Sequence, residues 1–246
     1  MEGWHGVRFN RPVTRTSETI DIIRTIAAGE RLTHDGKVYQ LPLPDGQGKA
    51  LRSPVAGAEI PIYIASMGPA NLKLTGTKSN GWIGTAFLPE SAHVFIDPIR
   101  EGAESAGRTL DDIELTAPVT LEFCEDAEAA GRSHADGYAF TIGAMGSTST
   151  NFYNQAFTRQ GFGEAIEEVH RLWQAGDKEA AAANVPIEIG LRTNLLGTDA
   201  DVSERLRRYR DAGIQTLRVN VKTDEGSNRL DHLARLMDLV NAVNAE

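Results

Sequence analysis

A single cysteine, Cys124, in a chain of 246 residues excludes an intramolecular disulfide framework, and the lack of any Cys-x-x-Cys pair excludes thiolate metal centres. The plain role of Cys124 is a small apolar filler in a strand. Six histidines occur, His5, His34, His93, His134, His170 and His232, but no two stand at His-x-x-x-His spacing, so no metal site is expected. Long apolar runs are missing too. None approaches the roughly 20 residues needed to cross a bilayer, and residues 1–10 have neither the basic start nor the apolar stretch of a secretory leader. A cytoplasmic location and no membrane contact are the resulting expectations. Positive charge is scarce: 25 Lys and Arg stand against 34 Asp and Glu, a net charge of -9, which disfavours nucleic-acid and anionic-membrane partners. Gly-x-Ser-x-Gly, Walker and Gly-x-Gly-x-x-Gly motifs are all absent, so hydrolase, kinase and Rossmann readings lose their main support. Chemistry on a small molecule remains.

What is present alternates between strand and helix signals, the pattern of a mostly parallel sheet with helical crossovers. A first helix is expected over 17–28, capped by Thr16 or Ser17 and stopped by Gly29. Asp35-Gly36 marks a hairpin, and the Pro- and Gly-rich residues 42–61 read as a loop. The apolar run 60–66 (Ile-Pro-Ile-Tyr-Ile-Ala-Ser) predicts a strand buried on both faces, followed by a helix to about Lys78. Further strands are expected at 82–87, 113–124 and 216–221. Pro89 opens a helix to about Ala106, and an Ala-rich helical insertion spans about 126–183, broken by Gly, Ser and Thr at 143–150. Thr198 and Asp201 form a capping box for a helix ending at Gly213, and residues 230–243 close the chain as an amphipathic helix. The expectation is a single α/β domain with about four core strands.

Two places suggest binding. At Ala65-Ser66-Met67-Gly68-Pro69-Ala70-Asn71 a buried strand turns directly into a helix. Gly68 permits close approach to the backbone, Pro69 suits the first helical position, and the free N–H groups of Ala70 and Asn71 are placed to meet an anion. An ordinary strand-to-helix connection has the same pattern. Thr85, at the end of the next strand, falls at the same end of a parallel sheet, where barrel enzymes gather their active sites. His5 and the stretch 143–150 are weaker candidates for lining a site, and the residues alone name no catalytic acid or base.

Glu2-Gly3-Trp4-His5-Gly6-Val7 with Arg11-Pro12, then His34-Asp35-Gly36 with Tyr39-Gln40-Leu41-Pro42, Ile60-Pro61-Ile62-Tyr63-Ile64-Ala65 with Gly68-Pro69 and Asn71, Asn80-Gly81-Trp82, and Ile142-Gly143-Ala144-Met145-Gly146 with Asn151-Phe152-Tyr153 follow one another in an order that resembles the luciferase-like monooxygenase family. The branch using the deazaflavin coenzyme F420 is the nearest. The resemblance covers nearly the whole chain. It implies a (β/α)8 TIM-barrel fold, of which this chain is expected to form the C-terminal half plus the helical insertion. It also implies hydride transfer between the deazaflavin and a small organic substrate, with flavin mononucleotide (FMN) as the alternative cofactor. By that resemblance Ala65, Ser66, Met67, Gly68, Ala70 and Asn71 would hold the cofactor phosphate, and Thr85 would lie beside the same tail. Family members usually carry about four further strand–helix units before the Glu-Gly-Trp segment, so the ring pocket and proton-handling residues are expected in that part. Two open sheet edges would favour a homo-oligomer, and a non-catalytic half-barrel paired with a partner chain is the alternative of a different class.

Overall fold

The computed structural model describes residues 2–54, 57–146, 150–223 and 228–246. In chain order come α1 (Glu2–His5), α2 (Pro12–Ala27), the strands β1 (His34–Asp35), β2 (Gln40–Leu41) and β3 (Tyr63–Ile64), α3 (Pro69–Lys78), β4 (Gly81–Ile83), α4 (His93–Ser105) and β5 (Glu114–Phe123). The insertion follows as α5 (Ala127–Ala144), α6 (Phe152–Phe157), a π-helical turn (Thr158–Phe162), α7 (Gly163–Gln174), α8 (Lys178–Ala183) and α9 (Ile187–Arg192). β6 (Leu195–Gly197), α10 (Asp199–Asp211), β7 (Thr216–Val221) and α11 (Arg229–Asn244) complete it.

Four strands make the core of a parallel sheet. Tyr63 of β3 is in register with Gly81 of β4, Gly81 with Glu114 of β5, and Thr116 of β5 with Thr216 of β7. β6 pairs only with the last residues of β5, Leu121 facing Leu195. Along β5 the side chains alternate, as strand geometry requires. Leu115, Ala117, Val119 and Leu121 enter one apolar core with Ile96, Ile99, Leu206, Ile214 and Leu236 from the helices. Thr116, Pro118, Thr120 and Glu122 take the opposite face, where Pro118 of β5 and Arg218 and Asn220 of β7 are exposed. The architecture is α/β with a parallel sheet, as expected for part of a barrel.

Several expected boundaries move. The first helix begins at Pro12 rather than Ser17: Arg11 adopts a left-handed turn (φ 49°) and Pro12 takes the first helical position, so no Ser or Thr cap is used. The Asp35-Gly36 hairpin forms, with His34 opposite Leu41 and Asp35 opposite Gln40. Its loop is fixed from outside, because the buried Glu18 carboxylate of α2 accepts the backbone N–H groups of Lys37, Val38 and Tyr39. The expected strand over 60–66 shrinks to Tyr63–Ile64 and is not buried on both faces, Ile60 being 58% and Tyr63 37% exposed. The reason is local. Pro61 has no N–H, and the Ile62 N–H goes to Asn80 Oδ1 at 2.9 Å, leaving little ladder for an edge strand. The short β6 had no signal strong enough to predict it. Within the expected 143–150 break, Gly143 belongs to α5, where a Cβ would lie 2.3 Å from the Trp173 ring. Ser147, Thr148 and Ser149 lie outside the described residues. The capping box on α10 is present, with Thr198 and Asp201 bonded reciprocally.

Candidate functional site

In a parallel sheet all strands end at one edge. Here Ala65 follows β3, Thr85 follows β4, Glu122 is the penultimate residue of β5 and Lys222 follows β7. Their registers also place Ala65, Thr85 and Glu122 on the face of the sheet opposite the apolar core.

The turn from β3 into α3 is rigid below and open above. Ser66 is buried and fully engaged: its hydroxyl pairs with Thr75 Oγ1 at 2.9 Å and its carbonyl accepts the Trp82 indole N–H at 2.9 Å. Ser66 therefore anchors the turn and has no spare hydroxyl for a ligand. Gly68 is extended (φ -78°, ψ 143°) at the N-cap, with Pro69 beginning the helix. A Cβ on Gly68 would meet nothing within 4 Å. The Leu72 N–H closes the first helical bond onto the Gly68 carbonyl, so the Ala70 and Asn71 N–H groups have no acceptor among the described residues. Unpaired N–H groups at a helix start carry partial positive charge and suit an anion.

Sequence reasoning missed the cation beside them. Arg159 sits in the π-helical turn of the insertion and donates from Nη2 to the Met67 carbonyl at 2.6 Å. Its Nε is buried with no hydrogen-bond partner, and burial lowers its basicity. A buried, unpaired guanidinium N–H is costly unless something accepts it. Gly161 supplies the positive φ (99°) that this turn requires. The neighbouring Gln160 fixes the turn onto the strand ends: its amide donates to the Ala86 carbonyl at 2.7 Å, and its oxygen accepts the Leu88 N–H at 3.0 Å and the Ser91 hydroxyl at 2.9 Å. No local pattern marks Arg159 or Gln160 as special; a π-turn inside a helical insertion is the one feature associated with functional sites.

Thr85 is half-buried and donates to the Gly84 carbonyl, which also accepts Arg218 Nη2 from β7 at 3.3 Å. Among the sequence candidates, then, Met67, Gly68, Ala70 and Asn71 surround one open turn, Ala65 and Thr85 share its edge, and Ser66 supports it. His5 is elsewhere: it lies in exposed α1 and stacks on Trp4, which is 88% exposed. Among the described residues no group of three or more His, Cys, Asp or Glu could hold a metal ion, and no helix is long and apolar enough to cross a membrane.

Residues 1–216 match the model of the family described as luciferase-like monooxygenase. A Mycobacterium tuberculosis protein, named as a coenzyme F420-dependent oxidoreductase without a stated substrate, is 32% identical over 235 residues, covering 92% of this chain and 67% of its own length. The 5,10-methylenetetrahydromethanopterin reductase of Archaeoglobus fulgidus is 24% identical over 209 residues, which are 85% of this chain and 60% of that one. The solved coenzyme F420-dependent tetrahydromethanopterin reductase of Methanopyrus kandleri superposes with a TM-score of 0.69 at 22% identity, covering 94% of this chain and 63% of its own. The chain thus spans roughly two thirds of the length of the relatives it matches.

Proposed function

The chain belongs to the luciferase-like monooxygenase family, and from that membership we propose that it is part of an oxidoreductase that binds coenzyme F420 and supports hydride transfer to or from a small organic substrate. One observation carries the cofactor reading: the free Ala70 and Asn71 N–H groups, the open space at Gly68 and the unsatisfied Arg159 Nε surround a single turn. Those donors fit a phosphate, which both the deazaflavin and FMN carry. When bound, the cofactor supplies the hydride chemistry; the protein supplies position, polarity and exclusion of water. The α3 terminus and Arg159 would hold the anionic tail, and Thr85 and the polar inner face of β5 would line the path toward the strand ends. The family relatives named for coenzyme F420 favour the deazaflavin over FMN.

Equilibrium binding of coenzyme F420 and of FMN to the purified chain tests this, with Gly68→Asp as the control. The backbone at Gly68 accepts a side chain without strain and there is room for one, so the carboxylate should repel a phosphate without unfolding the turn. Binding abolished by Gly68→Asp supports the reading. Binding indifferent to it, or none by the folded chain, overturns it for this chain.

A second reading concerns assembly. Among the described residues β3 pairs only with β4, and β6 and β7 only with β5, leaving parallel edges open, and unpaired edges recruit further strands. A self-associating half-barrel follows if a second copy fills them. Light scattering on the purified chain decides: a stable dimer supports it, a strict monomer removes it.

A further inference from the structure

At the same sheet edge as the β3–α3 turn stands a group of ionisable side chains to which phosphate binding assigns no role. Glu122 lies near the end of β5 on the inner face. Its Oε2 meets His134 Nε2 of α5 at 2.8 Å and Lys222 Nζ, just after β7, at 3.0 Å. Both Glu122 and His134 are mostly buried, with side chains 18% and 16% exposed. Burial pushes the Glu122 carboxyl up, but the Lys222 and His134 hydrogen bonds outweigh it and hold it below the usual carboxylate range. An ionised carboxylate can only accept, so Nε2 of His134 carries the proton. Nδ1 has no hydrogen-bond partner among the described residues. The other groups nearby are Cys124, Asp126 and Asp201; burial pushes the Cys124 thiol up, and the charges of Glu122, Asp126 and Asp201 add to it.

An imidazole oriented by a carboxylate through one nitrogen, with the other left free, is the arrangement of a general base. Its place matters equally, since residues at the C-terminal ends of barrel strands serve chemistry and those at the opposite end serve stability. We propose that His134 is the proton-handling group of this site, with Glu122 as its positioning residue and Lys222 neutralising the carboxylate. The inference rests on the hydride-transfer reading. In the oxidative direction a substrate H–C–O–H loses the C–H electron pair with its hydrogen as hydride to the deazaflavin. The O–H pair becomes the second bond of C=O, and the released proton passes to His134 Nδ1. In the reductive direction the imidazolium returns that proton to the oxygen.

The test reads position and tautomer without requiring the substrate. Carbethoxylation by diethyl pyrocarbonate, mapped by mass spectrometry, should modify His134, because its Nδ1 has no hydrogen-bond partner among the described residues. Saturating coenzyme F420 should slow modification of His134 at least fivefold, and Gly68→Asp should remove that protection together with binding. In imidazole 15N spectra His134 should appear as a single Nε2–H tautomer, giving a mixture in Glu122→Gln. Cofactor that binds but leaves His134 unprotected overturns this inference and leaves the cofactor reading intact. Absence of binding overturns both. A His134 in the Nδ1–H form overturns the assigned role whatever the protection.

Discussion

The Tyr63 hydroxyl of β3 donates to Glu114 of β5 across the intervening strand, and it can do so because the residue between them in register is Gly81. The tyrosine ring lies where a side chain on Gly81 would stand: a Cβ there would come within 2.1 Å of the ring. The second Glu114 oxygen accepts the Thr216 hydroxyl of β7 at 2.5 Å, so one carboxylate ties the two outer strands of the core sheet to β5. This lies at the N-terminal edge, opposite the candidate site, where a barrel carries stability rather than chemistry.

Gly81→Ala should therefore cost about 1–3 kcal/mol of unfolding free energy, the usual range for overpacking a filled site. Urea denaturation measures it. Replacing Tyr63 by Leu in the same chain should recover part of the loss, since the clash is with the ring; additive losses would show that the ring is not what Gly81 makes room for.

How far the sequence carries can be judged from such residues. The alternation of strand and helix, the Thr198–Asp201 capping box and the turn at Gly68 all follow from local rules that act within a few residues. Gly81, by contrast, reads only as half of an Asn-Gly break, because its packing partner is 18 positions away in the chain and adjacent only across the sheet. The edge strand at 60–66 was overestimated for the related reason that an apolar run does not reveal how many neighbours it has. Arg159 and Glu122 carry no motif at all; a π-turn places one and a strand end the other, and both are tertiary facts.

The two glycines of the α3–α4 crossing make the same point and give a sharper prediction. A Cβ on Gly76 would lie 1.9 Å from the Ile99 carbonyl oxygen, and one on Gly102 would lie 2.0 Å from that of Lys73. Backbone blocks both, so no side-chain rotation relieves them, and the helices must separate. Gly76→Ala and Gly102→Ala should each lose about 3 kcal/mol or more, despite alanine being the better helix former. Thermal denaturation followed by circular dichroism tests this; an unchanged midpoint for either variant would show that α3 and α4 are farther apart than described.

Acid should loosen the hairpin before the core. Burial raises the Glu18 carboxyl, but the backbone N–H groups of Tyr39, Val38 and Lys37 and the ring of His34 bring it below the usual carboxylate range. A group whose folded pKa is depressed contributes stability that is complete above its unfolded pKa and lost as pH falls through the folded one. Between neutral pH and that range the chain should hold its melting temperature; below it, protection of the Lys37, Val38 and Tyr39 amides from hydrogen exchange should fall. Glu18→Gln should show weakened protection already at neutral pH and a flatter acid limb. A variant with the parent's pH dependence would mean that the loop is held by something else.

Arg159 is the residue for which function and structure must be separated, because Nη2 holds the Met67 carbonyl while Nε has no partner. Arg159→Gln removes the charge and should weaken coenzyme F420 binding about tenfold, close to 1.4 kcal/mol, near the lower end for a hydrogen bond to a charged group. If the loss comes from the anion, the phosphate-free deazaflavin alcohol should bind parent and variant alike. If it comes from a displaced turn, both ligands should weaken together and the melting temperature should drop with them. Arg159→Lys discriminates further: a lysine restores charge but not the planar fork that reaches Met67 and an anion at once, so partial recovery of phosphate-dependent affinity is the expected result. Full recovery would mean that charge alone suffices, and that the insertion reaches the strand ends to deliver a cation rather than to shape the turn.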